Sequence, residues 1–255
     1  MSIFHLTFGT ITYAIFWGVF SYLIIFMGGD FIGVYVPSLE ALELKTINSG
    51  TSIGAIPGVP PLMHNIILLI VFGFQHSLMA RLGFKNIVTK YIPKESERSF
   101  YVLTTCGYLI WLYLSWYPLS DDIWHLDGLF HGLITALFLG GALVALWSTF
   151  LINHFQLFGI SQAWHAFKGT QPLADCFQEK ALYKYSRHPL YLGMLTTFWF
   201  VPTMTTGHLL FSAIWTAYIF IGIGYEERDL MHSLGDKYRE YMMRVPQLIP
   251  LGRRK

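Results

Sequence analysis

Residues 8–27, 62–80, 100–117 and 130–152 form apolar runs close to the roughly 20 residues that a helix needs to cross a bilayer. Residues 189–204 form a shorter fifth run and residues 207–224 a sixth. This repetition constrains the fold more than any other feature. Within hydrocarbon a chain must satisfy its own backbone N–H and C=O groups, and only helices and closed barrels do so. The runs are too long for barrel strands. They predict an all-α polytopic membrane helix bundle of about six segments, the last two a short hairpin, as one domain over 1–255. Charged residues make up 13% of the chain, against roughly 25% in soluble domains. No basic stretch suits nucleic acid apart from the tail Arg253, Arg254 and Lys255.

Charge sets the orientation. Of the 17 Lys and Arg residues, all but Lys45 fall between the second and third segments, between the fourth and fifth, or in the tail. The positive-inside rule makes that side cytoplasmic, with both termini on it. The loop 118–129 carries Asp121, Asp122 and Asp127 without Lys or Arg, as expected of the opposite side. Residues 28–61 read as an outer loop with one short helix near 38–44. Residues 227–243 place Leu230, Leu234, Tyr238 and Tyr241 on one face, which predicts an amphipathic helix on the cytoplasmic surface. No cleaved leader is expected, because residues 1–8 hold no Lys or Arg. Cys106 in an apolar run and Cys176 in a polar loop are expected to stay unbridged.

Polar residues then gather at one leaflet. Gln75 and His76 end the second segment, Asn153, His154 and Gln156 follow the fourth, and Gln162 and His165 lie in the next loop. Arg187 and His188 precede the fifth segment, and Glu226 and Glu227 end the sixth. Only His64, Asn65 and His208 mark the far side. A channel needs polar positions through its depth, so a cavity open to the cytoplasm fits better. An isolated Arg at this depth is usually an interfacial anchor, and Glu226-Glu227 alone would be a solvated helix end. Ten histidines raise the question of a metal, yet His76 lacks the i, i+4 histidine of a helical zinc site, and no metal is expected.

The run Arg187-His188-Pro189-Leu190-Tyr191-Leu192-Gly193, completed by Glu226-Glu227, resembles the Arg-His-Pro-x-Tyr-x-Gly and Glu-Glu elements of integral-membrane methyltransferases. These include the isoprenylcysteine carboxyl methyltransferases and phospholipid N-methyltransferases. The stretch 72–81, Glu97-Arg98 and 157–162 resemble the NnrU-like branch of that superfamily. The resemblance implies S-adenosylmethionine as methyl donor, held by Arg187, His188, Pro189, Tyr191, Gly193, Glu226 and Glu227, with Gln162 in the adjoining loop. Within that branch it implies transfer to a small apolar thiol, methanethiol, giving dimethyl sulfide. It also implies a bacterial inner-membrane enzyme with a cytoplasmic site. An isoprenylated cysteine carboxylate or a phospholipid amine is the alternative acceptor. A non-catalytic, haem-binding member of the branch is the alternative of another class, on the strength of His76 and the histidine count.

Methyl transfer from a sulfonium is an in-line displacement. Arg187 suits a carboxylate through a charge-assisted bond, and a Glu suits an amino group or ribose hydroxyls. Adjacent carboxylates on a helix point about 100° apart, so one of the pair faces the ligand and the other is free for Arg187 or Arg228. Pro189 opens the helix where its missing N–H costs nothing. Tyr191 offers an aromatic face to a sulfonium, and Gly193 leaves room at the first turn. An acceptor thiol reacts as thiolate. His76, His154, His165 and Glu226 are candidate bases, with His76, His154 and Tyr191 the catalytic expectation. The field of the sulfonium could equally lower the thiol pKa without a base.

Overall fold

The computed structural model describes residues 2–171, 177 and 179–250; Cys176 and the basic tail lie outside the described residues. The regular structure of the described chain is helical apart from one short strand pair. Its elements are α1 (Ser2–Ile32), α2 (Pro37–Glu40), α3 (Pro61–Ala80), α4 (Leu82–Val88), α5 (Lys94–Ser115), β1 (Asp122–His125), α6 (Gly128–Ile152), α7 (His154–Leu157), α8 (Ile160–Lys168), a 3-10 turn Ala181–Lys184, α9 (Pro189–Trp199), β2 (Thr203–Thr205), α10 (Thr206–Leu234) and α11 (Asp236–Arg244). Four helices are long and apolar enough to cross a membrane: α1, α3, α6 and α10. The protein is an all-α membrane helix bundle.

Three expectations need correction. The third segment starts at Lys94 rather than 100, and its first turn is charged by Lys94, Glu95 and Glu97; acidic groups there favour the helix N-terminus. The fifth, expected over 189–204, is an 11-residue helix, about 16 Å long and so about half of a ~30 Å hydrocarbon core. It does not cross by itself. The chain leaves helix at Phe200, and 203–205 form β2, which pairs with β1. The predicted amphipathic helix over 227–243 is two helices. α10 continues to Leu234, then Gly235 at φ +57° breaks the path before α11. Leu230, Leu234, Tyr238 and Tyr241 close on one another with Val245 in a local core, which an apolar stripe on a membrane surface would not do.

The chain divides into two compact units, 2–123 with 153–171 and 205–208, and 124–152 with 177–204 and 209–250. In the first, α1 packs on α5 and α8. Gly159 has φ +88°, and a Cβ there would lie 2.5 Å from Ser99 Oγ, so this corner requires glycine twice over. His5 Nδ1 meets Ser96 Oγ at 2.8 Å, and Arg98 Nε donates to Leu157 O at 2.6 Å. At the other end of α5, Asn65 closes both the N–H and the C=O of Tyr117, at 3.0 and 2.8 Å. His64 Nε2 donates to Ser115 O at 3.0 Å. The far-side polar residues in α3 thus satisfy backbone that α5 leaves open at its C-terminus.

In the second unit, α9 lies across α6. Pro189, Gly193 and Thr197 are buried at helical spacing, facing Phe138, Gly141 and Ala145 of α6. Small residues let helix backbones meet in lipid. α10 runs back beside α9: Ser212 Oγ donates to Phe198 O at 2.8 Å, and Phe198 stacks edge-on against Phe211. Phe211, Trp215, Ile219, Ile223 and Glu227 are all buried, four residues apart, on one stripe of α10. That stripe carries apolar side chains for four steps and then a carboxylate.

Candidate functional site

The carboxylate at the end of that stripe organises the site. Glu227 Oε1 lies 3.1 Å from Arg187 Nη2 and 3.0 Å from His188 Nε2. A carboxylate only accepts, so His188 carries its proton on Nε2. Gln247 Nε2 donates to the other oxygen, Oε2, at 3.4 Å. Glu227 is 8% exposed and His188 4%, and the Arg187 side chain is 9% exposed. A buried guanidinium needs such a partner, since unpaired burial of a charge is prohibitive.

The two adjacent carboxylates divide their work. Glu226 stands about 100° round the helix from Glu227. Its side chain is 46% exposed, and its Oε2 lies 3.8 Å from His188 Nδ1. Glu227 is spent on protein groups, whereas Glu226 is open to a ligand. Arg187 Nε is buried and has no hydrogen-bond partner among the described residues. A ligand carboxylate is the chemistry that would complete it.

Local chain path presents these groups. His188 is the N-cap of α9 and Pro189 its first residue, so the helix begins where proline is tolerated. Arg187 N donates to Pro246 O at 2.9 Å and His188 N to Gln247 O at 3.1 Å. Ser186 Oγ donates to the same Gln247 carbonyl at 3.3 Å. Tyr241 OH donates to Tyr183 O at 2.6 Å, tying α11 to the 3-10 turn. Burial, with the nearby Glu226 carboxylate, pushes the Tyr183 phenol far above its ordinary value. Burial, with Glu227 and Glu226, does the same to Tyr238. Both phenols stay protonated beside the carboxylate pair. The Tyr191 ring lies 5.6 Å from the His188 ring at an interplanar angle of 31°.

The second unit therefore brings together Arg187, His188, Pro189, Tyr191, Glu226 and Glu227. Gly193 differs from its expected role. A Cβ there would meet Ala145 N at 2.5 Å and Gly141 O at 2.6 Å, so the space at Gly193 is taken by the backbone of α6 and not left for a ligand. Gly141 packs against the backbone of α9 in the same way, whereas Gly140 faces open space.

His76, His154 and Gln162 belong to the first unit. The His76 ring nitrogens lie 3.0 and 2.9 Å from Tyr101 OH, and the ring stacks on Phe72. His154 Nε2 meets Tyr13 OH at 2.8 Å among Phe16, Trp17, Phe155 and Phe158, and burial lowers its pKa. Gln162 Nε2 donates to Gln156 O at 3.0 Å, while its Oε1 has no partner among the described residues. His165 Nδ1 meets Thr170 Oγ1 at 2.7 Å. Asn153, Gln156 and His165 line a groove of about 450 Å³ with Phe155, Ile160, Ser161 and Trp164.

Sequence reasoning missed Tyr183, Ser186 and Gln247, and read Tyr238 and Tyr241 as surface residues. The i, i+4 stripe ending on Glu227 was the available signal for which carboxylate turns inward. Nothing local in the sequence marks Gln247.

Residues 137–245 match a family described as a protein of unknown function, DUF1295. No solved structure matches. Over 247 residues the chain is 42% identical to methanethiol S-methyltransferase 1 of Bradyrhizobium diazoefficiens, covering 94% of this chain and 83% of that protein. It is 38% identical to methanethiol S-methyltransferase 2 of the same organism, covering 96% and 89%. It is 41% identical to the methanethiol S-methyltransferase of a Pseudomonas species, covering 89% and 84%. With such identity spanning both units, the chain belongs to the methanethiol S-methyltransferase family.

Proposed function

We propose that this protein transfers the methyl group of S-adenosylmethionine to methanethiol, releasing dimethyl sulfide, at a site built on Arg187, His188 and Glu226 at the cytoplasmic face of the bacterial inner membrane. The observation that carries the reading is the unequal use of the Glu pair. Glu227 is saturated by Arg187, His188 and Gln247, which leaves Glu226 exposed and buried Arg187 Nε without a hydrogen-bond partner among the described residues. Two carboxylates, Glu226 and Glu227, stand against the one guanidinium of Arg187, which suits a cationic ligand. S-adenosylmethionine has an ammonium, a sulfonium and a carboxylate, and so one net positive charge. Arg187 Nε would take the carboxylate and Glu226 the ammonium. When bound, the sulfonium supplies an activated methyl group. After transfer the remaining thioether is neutral, so its attraction to the site weakens and release is favoured.

The acceptor is small and apolar and partitions into the bilayer, which brings it to a membrane enzyme at raised local concentration. It reacts as thiolate after its S–H proton is lost to solvent; the sulfur then takes the methyl as the sulfonium C–S bond breaks, and holding it in line while excluding water accounts for much of the rate. The aromatic setting of Tyr191 beside His188 suits a cationic sulfur.

The direct test is headspace gas chromatography of cells expressing the chain and fed methanethiol, followed by purified protein with methyl-labelled donor. Label in volatile dimethyl sulfide is expected. Label in a lipid or prenyl-cysteine fraction, with none in the headspace, would overturn the acceptor. A second test addresses the site: Glu226→Gln is expected to weaken donor binding in calorimetry about 10-fold, the worth of one charge-assisted hydrogen bond, with the melting temperature unchanged. Unaltered affinity would remove Glu226 from the site.

A further inference from the structure

We propose that Gln247 is a positioning residue of this site, orienting His188 and Glu227 from outside the motif. The inference rests on the donor reading above. Gln247 lies beyond residues 137–245, the stretch matched by the DUF1295 family. It acts with both its main chain and its side chain. The carbonyl accepts from His188 N at 3.1 Å and from Ser186 Oγ at 3.3 Å, and with Pro246 O, which accepts from Arg187 N, it straps the start of α9. The side-chain amide reaches Glu227 Oε2 at 3.4 Å.

That last contact is long for a hydrogen bond and is not needed to hold the chain, since the strap is made by backbone. Its effect is directional. Arg187 and His188 both pull on Oε1, which would leave the carboxylate plane free to turn about its Cγ–Cδ bond. A donor on Oε2 stops that rotation and fixes where Arg187 and His188 sit relative to Glu226. Because the amide is neutral, it orients the carboxylate without adding a cation to the site.

Three substitutions separate this role from a structural one, because each keeps the Gln247 carbonyl. In full-length protein in nanodiscs, Gln247→Met retains bulk and loses the amide. It is expected to raise both the dissociation constant and the KM for S-adenosylmethionine about 5- to 10-fold, the loss of one hydrogen bond, with kcat within about twofold. Gln247→Asn draws the amide back and is expected to fall between Met and wild type. Gln247→Glu sets a second carboxylate against Glu227. Its defect is expected to be larger at pH 8 than at pH 6, because protonation of one of two facing carboxyls relieves their repulsion. A residue that only held the fold would lower the melting temperature and kcat without that pH dependence. Should Gln247→Met and Gln247→Asn bind like wild type while Arg187→Ala does not, the positioning role fails and the donor reading stands. Wild-type protein that does not bind S-adenosylmethionine would overturn both.

Discussion

Glu227→Ala is expected to abolish donor binding and to lower the melting temperature by several degrees, whereas Glu226→Ala lowers affinity alone. The residues are neighbours in sequence with identical chemistry, and their surroundings set them apart. Glu227 ends the buried stripe of α10 and meets an Arg187 side chain that is 9% exposed. Its removal leaves a guanidinium in low dielectric with no counter-charge, and losing one partner of a buried pair costs about 3–5 kcal/mol. Applied to the liganded state, that is a loss of about 150- to 5,000-fold in affinity. It also frees His188 Nε2 and Gln247 Nε2. Glu227→Gln keeps the shape and one acceptor oxygen but turns an NH₂ toward a donor, so it is expected to lose affinity with a smaller fall in melting temperature. Glu226 is half exposed, and its contact with buried His188 Nδ1 is 3.8 Å long, so its absence breaks no hydrogen bond. Thermal unfolding followed by tryptophan fluorescence, paired with calorimetry, distinguishes the variants. Equal melting temperatures for Glu226→Ala and Glu227→Ala would mean that Glu227 does not hold the site together.

The gross architecture was legible because it depends on one strong energy, the cost of exposing backbone to hydrocarbon. That cost makes apolar length a reliable sign of helix, and α1, α3, α6 and α10 fall where the runs predicted them. Span ends and the short hairpin were harder to read. α9 stops at Trp199 although 200–204 remain apolar, because those residues are used in the turn into β2. Hydropathy measures apolar length and does not register where the chain must turn. The tail failed for a related reason. The stripe Leu230, Leu234, Tyr238 and Tyr241 looks the same whether it meets lipid or folds on itself, and Gly235 at φ +57° decides the outcome. A glycine in sequence does not announce its φ.

At the site, the motif pointed to Arg187, His188 and Glu226-Glu227 because an unusual set of ionisable residues stands against an apolar background. The division between the two carboxylates was present as a four-residue spacing from Phe211 to Glu227. Gln247, Ser186 and Tyr183 carried no such mark. The Gln247 carbonyl accepts from His188 N and Ser186 Oγ, and the Tyr183 carbonyl from Tyr241 OH; these contacts depend on where the chain returns from residues 241–247.

Gly193→Ala is expected to be the most damaging single-methyl change in the second unit, reducing kcat/KM about 100-fold, the scale of a ~1 Å misplacement of reacting groups. The new Cβ would sit 2.5 Å from Ala145 N, 2.6 Å from Gly141 O and 2.9 Å from Ala145 Cα. All three are backbone atoms, so no side chain can swing away and α9 must lift from α6. Overpacking of this kind costs about 1–3 kcal/mol. α9 also carries the site at its N-cap: a shift of the helix moves His188 and Arg187 relative to Glu227 on α10 and stretches contacts that begin at 3.0 and 3.1 Å. Gly140→Ala is the control, one residue from Gly141 on α6 but facing open space. It is expected to leave activity unchanged and to gain up to about 1 kcal/mol from helix propensity. Ala145→Gly added to Gly193→Ala is not expected to rescue, since the clash is with the main chain of Ala145 and not its methyl group. Rescue by that second change, or wild-type kcat/KM in Gly193→Ala itself, would show that α6 and α9 do not approach this closely and that helix position does not govern the Arg-His-Glu geometry.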